Sequence, residues 1–180
     1  MSYEPLSPDN HDQLPVDEHL YLKGVNESEA ELFYGLVENN RLYLAEFLPW
    51  AKGNTQKDSL DFIRKVINDR FTGSEYGFGI YANDALVGHI SLMHIDDEQE
   101  PEIGYWIDKG HSGLGITTKA ADAVSRFGFE VLGTEAVIIK AAATNIASNK
   151  VAQKLGYHIS GTEISDNGME INIWRKTSEK

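Results

Sequence analysis

The apolar residues of the chain recur with two periods, one of three to four residues and one of two residues. The longer period predicts four helices, because it gathers apolar side chains on one helix face. The four stretches lie at residues 30–37, 62–67, 120–129 and 147–155. Asn26 and Thr55 can cap the first two helices, and Gly73 and Gly133 can end the second and third.

The shorter period, together with short β-branched runs, predicts seven strands. They lie at residues 19–23, 76–81, 86–93, 102–107, 136–141, 157–161 and 169–174. We expect the second and third strands to form a hairpin around residues 83–84, and the last two to pair around residues 166–168. Residues 41–54 are predicted to form an irregular apolar connection.

Length and composition favour a single domain without cysteine chemistry. A chain of 180 residues with 41% hydrophobic and 24% charged side chains has the size and balance of one globular domain. We expect a flexible segment at residues 1–16, which holds three prolines, and one domain at residues 17–180. The chain has no cysteine and no apolar run long enough to span a bilayer, so we expect a cytoplasmic protein without a membrane partner.

The net charge of −12 comes from 28 acidic and 16 basic side chains. Such a charge repels nucleic acid and attracts cations, so we expect no nucleic-acid partner and consider a protonated amine a fitting substrate. Acidity that serves only solubility explains the same charge and is the more common case. His89 and His94, five residues apart on or near one strand, fall on opposite faces, so no metal site is predicted.

The candidate chemistry lies where the predicted strand at residues 102–107 runs through Gly113-Leu114-Gly115 into a helix. Backbone N–H groups of such a loop and helix start attract phosphate oxygens, and Thr117 and Thr118 can add hydroxyl donors. Two glycines separated by one residue are, on their own, more typical of an ordinary strand-to-helix junction.

Two other phosphate-binding loops fit the residues poorly. A dinucleotide-binding loop needs a third glycine where the chain has Thr118, and an acidic residue at the end of the next strand, whereas Glu135 stands at its beginning. A nucleoside-triphosphate loop needs Gly-Lys-Ser/Thr, but Ile116 and Thr117 follow Gly115.

Several segments, in their order and spacing, resemble the GNAT superfamily, and specifically its RimJ/RimL branch of ribosomal-protein N-terminal acetyltransferases. The segments that carry the resemblance are residues 44–50, 102–107, 113–120, 143–148 and 154–157. The resemblance implies a GNAT fold of the α/β (α+β) class. This fold is a mixed, mostly antiparallel twisted sheet of about seven strands flanked by four helices, in which the fourth and fifth strands splay apart.

The same resemblance implies acetyl-CoA as the acyl donor, with its pantetheine arm in the gap between the splayed strands. The residues that would bind it are Tyr105, Trp106 and Ile107 for the pantetheine, Ser112, Gly113, Leu114, Gly115, Ile116 and Thr117 for the pyrophosphate, and Asn145 for a further contact. The family often carries Gln or Arg where this chain has Ser112, and a basic residue where it has Leu114. Both departures predict weaker phosphate binding.

Acetyl transfer to an amine needs a base and an acid. Glu102, beside the implied slot, is the candidate base, and a solvated strand-edge carboxylate is an equally good interpretation of this residue. The resemblance places the Ser148 hydroxyl near the thioester sulfur, where it could protonate the thiolate, although it could instead cap a helix near Asn145. Relatives often carry a tyrosine acid where this chain has Ala152.

Two functions remain open at this point. The first is an N-acetyltransferase that moves an acetyl group directly, in a ternary complex, to a protein N-terminal amine, possibly ribosomal, or to a small amine. The second is a non-catalytic acyl-CoA-binding module. The residues predict no acceptor identity, and either a monomer or a homodimer is compatible with them.

Overall fold

A computed structural model describes residues 12–179 of the chain. Its centre is one sheet of eight strands in the order β1-β2-β3-β4-β5-β6-β8-β7. The strands are β1 Gln13–Pro15, β2 Leu20–Lys23, β3 Tyr76–Ala82, β4 Ala85–Met93, β5 Glu102–Ile107, β6 Ala136–Ala142, β7 His158–Ile164 and β8 Glu170–Thr177. All neighbours pair antiparallel except β5 and β6, which pair parallel. The predicted mixed, mostly antiparallel sheet is therefore confirmed, with one strand more than expected.

Within residues 12–179, five α-helices cover the sheet. They are α1 Ala30–Asn39, α2 Arg41–Ala45, α3 Gln56–Thr72, α4 Ile116–Arg126 and α5 Ile146–Lys154. Thr55 and Asp58 form a capping box at the start of α3, and Gly73 ends that helix in a left-handed conformation, both as the residues predict. Among residues 12–179, no helix is long and apolar enough to cross a membrane.

One prediction is corrected. The connection at residues 41–54 is not irregular, because it contains α2 and the 3₁₀ helix Pro49–Gly53. Within the predicted flexible segment at residues 1–16, Gln13–Pro15 form β1 and pair with β2. Residues 1–11 lie outside the described residues, so the flexible segment at residues 1–16 and the single domain at residues 17–180 stay predictions.

The sheet opens between β5 and β6. Their ladder contains only two residue pairs, Glu102 with Ile138 and Ile103 with Ile139. Beyond Ile103 the two strands diverge, so the backbone of residues 104–107 has no strand partner on that side among the described residues. The splay expected from the resemblance is therefore present.

Apolar cores lie on both faces of the sheet, because side chains alternate along each strand. One core packs β3, β4 and β5 against α4 and α5 and contains Phe78, Ile90 and Phe127. The other packs the opposite face against α1 and α3 and contains Phe33 and Trp106. Both cores together fix β5 in place beside the opening.

His89 on β4 is enclosed in the second core. It is 3% exposed and lies against the rings of Phe33 and Phe62, with ring centroids 5.9 and 5.2 Å away. No described residue makes a hydrogen bond with its Nε2 atom. Burial, aided by the nearby charge of Arg70, lowers the pKa of His89 to about 3.

This buried imidazole predicts a loss of stability in acid. In the unfolded chain a histidine has a pKa of about 6.5, so below that pH the unfolded state binds more protons than the folded state. The contribution of His89 to the free energy of unfolding is therefore complete above that pH. It decreases by up to about 1.4 kcal/mol per pH unit as the pH is lowered towards 3. Urea unfolding at about pH 7 and pH 5 should show a smaller pH difference in His89→Phe than in the wild type. Equal differences would contradict this explanation.

Candidate active site

A cleft of about 890 Å³ lies where β5 and β6 diverge. Its lining comes from the start of α4, the free edge of β5, and α2 with the segment that follows it. Eleven of the twelve residues proposed from the sequence line it, namely Glu102, Tyr105, Trp106, Ile107, Ser112, Gly113, Gly115, Ile116, Thr117, Asn145 and Ser148. Leu114 does not line the cleft and is 65% exposed.

The loop before α4 has the shape of an anion cradle. Gly113 and Gly115 have φ angles of +76° and +78°, a left-handed conformation that only glycine adopts without strain. A Cβ atom at either position would meet no protein atom within 4 Å, so the space above the loop is open. Within residues 12–179, no backbone carbonyl accepts a hydrogen bond from the N–H groups of residues 113–115. These groups and the first turn of α4 are available to phosphate oxygens.

Ser112 supports the cradle by closing the turn before it and does not present a free donor, because its backbone N–H also donates to the Lys109 carbonyl, at 3.2 Å. Its Oγ donates to the carbonyl oxygen of Lys109 at 2.7 Å, which closes the turn before the glycines. Lys119 on α4 lies 2.9 Å from the carboxylate of Asp17, so its charge is partly neutralised. The cradle therefore depends mainly on backbone dipoles.

A polar network that the sequence did not reveal supports this loop from behind. The Asn40 side chain donates to Asp108 at 2.8 Å and accepts from the Lys109 N–H at 2.9 Å. The second carboxylate oxygen of Asp108 lies 2.7 Å from Nδ1 of His111. Because Asn40 follows α1 directly, the network fixes the glycine loop relative to the first helix.

Ser148 and Tyr105 meet on one face of β5. Their hydroxyl oxygens are 2.7 Å apart, and Ser148 is buried. The residue that caps α5 is Asn145, whose side chain accepts from the Ser148 N–H at 3.2 Å. The Ser148 hydroxyl is therefore not a helix cap, and it remains in the cleft. Burial raises the pKa of Tyr105 to about 12, so this phenol stays protonated.

Glu102 lies on the opposite face of β5, since it alternates with Tyr105 and shares the side of Trp106. Its side chain is 16% exposed, which excludes the solvated strand-edge interpretation. Burial raises the pKa of the Glu102 carboxyl, and the positive charges of Lys140 and of protonated His94 reduce that rise. A carboxylate with a raised pKa inside a cleft is suited to accept a proton.

One wall of the cleft is formed by α2 and the segment after it. Arg41 fixes this wall by donating to the carbonyl oxygens of Ala51 at 2.6 Å and Asn54 at 2.9 Å. The Trp50 ring lies 6.1 Å from that of Trp106, centroid to centroid. This wall is apolar and aromatic, and Glu102 lines the same cleft, which has room for an acceptor.

Sequence reasoning missed the Tyr105 hydroxyl, for which only a backbone role was expected. Strand alternation places Tyr105 on the face that α4 and α5 cover, and this signal could have paired it with Ser148. The Asn40 network left no such signal, because Asn40 and Asp108 are 68 residues apart in sequence.

Comparison with known proteins matches this chain to acetyltransferases throughout. A family model described as "Acetyltransferase (GNAT) domain" matches residues 19–158. The ribosomal-protein-serine acetyltransferase of Escherichia coli (strain K12) is 29% identical over 150 residues, which cover 82% of this chain and 84% of that protein. The putative ribosomal N-acetyltransferase YdaF of Bacillus subtilis (strain 168) is 30% identical over 149 residues, 79% of each chain.

Among solved structures, RimL, a ribosomal L7/L12 alpha-N-protein acetyltransferase in complex with coenzyme A, has a TM-score of 0.85 to this chain. The superposition covers 93% of this chain and 98% of that one at 22% identity. This likeness confirms the fold expected from the resemblance.

Proposed function

The chain belongs to the GNAT acetyltransferase family, in its RimJ/RimL branch, and is an N-acetyltransferase, and we propose that the cleft between β5 and β6 is its active site. One observation carries the proposal. A candidate base, Glu102, and a candidate acid, Ser148, reach the same opening from opposite faces of β5, beside an anion cradle.

Acetyl-CoA fits the polar groups of this cleft. The backbone N–H groups of residues 113–117 would bind the pyrophosphate, and the unpaired edge of Tyr105, Trp106 and Ile107 would hydrogen-bond the pantetheine amides as a further strand does. Asn145, which caps α5, lines the same cleft. Bound in this way, acetyl-CoA would supply the acetyl thioester, and the Ser148 hydroxyl would be the proton donor that lines the same cleft.

Glu102 would take one proton from the ammonium group of the acceptor, which leaves a neutral amine. The amine nitrogen attacks the thioester carbonyl carbon, and the C–S bond breaks as the amide forms. The departing sulfur receives the proton of the Ser148 hydroxyl, and the Ser148 oxygen takes the second proton from the nitrogen, so the hydroxyl is regenerated while Tyr105 orients it. In sum, an ammonium ion and a thioester give an amide, a thiol and one proton.

Removal of the Ser148 hydroxyl should slow turnover moderately. We expect kcat of Ser148→Ala to fall about tenfold, below the 10²- to 10⁴-fold range of general acid catalysis, because a thiolate with a conjugate-acid pKa of about 8.5 is already a good leaving group. The KM for the acceptor should change little. Ser160→Ala, on the exposed strand β7, is the control and should keep full activity. An unchanged kcat in Ser148→Ala would remove Ser148 from the mechanism.

The relatives named above acetylate, or are named for acetylating, ribosomal proteins, so we propose a protein N-terminal amine as the acceptor. An acceptor screen tests this proposal through release of free thiol from acetyl-CoA. The panel contains peptides with free and with blocked N-termini, and polyamines as small amines. We expect release with free N-termini only. Binding of CoA without release for any acceptor would favour a non-catalytic binding module instead.

A further inference from the structure

His94 occupies an unusual backbone position directly after β4. Its φ angle is 61°, in the left-handed region that residues other than glycine adopt infrequently. The turn is held by the Ile95 N–H, which donates to the Ser74 carbonyl at 3.2 Å, and by that of Asp97, which donates to the His94 carbonyl at 3.5 Å. Conformations of this kind persist where the surrounding structure fixes them, and they concentrate at functional sites.

The left-handed turn places the His94 ring between two carboxylates. Its Nδ1 atom lies 3.4 Å from Oδ2 of Asp97, and its Nε2 atom lies 3.9 Å from Oε2 of Glu102. Exposure rises along this row, from 16% for the Glu102 side chain to 36% for His94 and 44% for Asp97. The imidazole therefore connects the buried carboxylate to the surface.

The other charged groups around Glu102 cannot do the same. The Nζ of Lys140 lies 3.1 Å from the carboxylate of Glu163, so these two groups form an ion pair with each other. Glu163 is a carboxylate like Glu102 and faces the same lysine. Imidazole is the side chain that both takes up and releases protons near neutral pH.

We infer that His94, oriented by Asp97, carries the proton that Glu102 takes from the acceptor out to solvent in each turnover. This inference rests on the proposed function, in which one proton per turnover leaves the site. The Glu102 carboxyl O–H donates its proton to neutral Nε2 of His94, giving a carboxylate and an imidazolium. The imidazolium then loses one proton to water or to a buffer base. The gap of 3.9 Å has to shorten by about 1 Å for the transfer.

The test uses His94→Asn, because asparagine tolerates the left-handed backbone conformation and cannot relay a proton at neutral pH. Turnover is measured with saturating acetyl-CoA and acceptor at low and high concentrations of added imidazole, at constant ionic strength. We expect kcat of the variant to be about tenfold below wild type at low imidazole and to recover at high imidazole, while the KM values stay constant. His158→Asn, which removes an imidazole from the exposed strand β7, is the matched control.

Three results would decide the inference. Rescue by imidazole in His94→Asn, with no imidazole effect in the wild type or in His158→Asn, supports the relay. The relay is overturned if kcat of His94→Asn equals that of the wild type at every imidazole concentration. It is also overturned if kcat of the variant is lower and imidazole does not restore it. Either result leaves the proposed function standing. Absence of acceptor-dependent thiol release in the wild type overturns the proposed function and the relay with it.

Discussion

Glu102→Gln is expected to lower kcat by about 10²- to 10³-fold, because the acceptor amine would keep its proton and could not attack the thioester. Binding of CoA should be unchanged, since Glu102 is the first residue of β5 and the glycine loop follows the other end of that strand. The measurement is the rate of thiol release at saturating concentrations of both substrates. Glu98→Gln, in the exposed loop before β5, is the control and should retain full activity. Turnover of Glu102→Gln within about twofold of wild type would exclude Glu102 as the base.

The pH profile gives an independent check on Glu102. Burial raises the pKa of its carboxyl, so kcat/KM of the wild type should rise with pH through a value above the ordinary range of a glutamate. This acidic limb should disappear in Glu102→Gln. A carboxyl with a raised pKa binds more protons in the folded than in the unfolded state, so it lowers stability as pH rises through that pKa. The variant should therefore be at least as stable as wild type at neutral pH, which separates loss of activity from loss of folding.

Gly115→Asp is expected to weaken CoA binding by about 30- to 100-fold. A carboxylate would stand where the pyrophosphate accepts charged hydrogen bonds, each worth about 1.5 to 3 kcal/mol. The control is Gly133→Asp, because Gly133 has the same left-handed backbone, with φ +68°, and equally open space around it, but lies outside the cleft. Both variants therefore carry the same backbone strain and the same added charge.

Calorimetric titration with CoA would separate the two glycine variants. Gly133→Asp should bind CoA as the wild type does, although its melting temperature falls with that of Gly115→Asp. Pantetheine, which lacks the pyrophosphate, should bind both variants equally. Equal CoA affinity in the two variants would show that the glycine loop does not hold the pyrophosphate.

Elements set by local sequence were predictable from the residues. The capping box of Thr55 and Asp58, the left-handed ends at Gly73 and Gly133, and the hairpin at Asn83 and Asp84 each depend on residues close together in the chain. The glycine loop belongs to this group. Its shape follows from Gly113 and Gly115. The two glycines alone predict only a turn, and phosphate binding could be predicted only with the surrounding segments that resemble the GNAT superfamily.

Elements set by distant contacts were not predictable. Residues 41–45 show no helical period that would predict α2. The segment after this helix is fixed by Arg41, which donates to carbonyl oxygens at residues 51–54. Strand β1 exists because β2 pairs with it. In the site, the resemblance supplied Glu102 and Ser148. Their partners His94 and Tyr105 depended on the left-handed turn after β4 and on the packing of α5 against β5.

The central claim is direct transfer of an acetyl group from acetyl-CoA to an amine in the β5–β6 cleft. Mass spectrometry with deuterium-labelled acetyl-CoA and a peptide with a free N-terminus tests it most directly, with the wild type and Glu102→Gln side by side. We predict one labelled acetyl group on the peptide N-terminus with the wild type, far less with the variant in the same time, and none on the protein itself. An unlabelled peptide with the wild type, or equal labelling by the two proteins, would contradict the account.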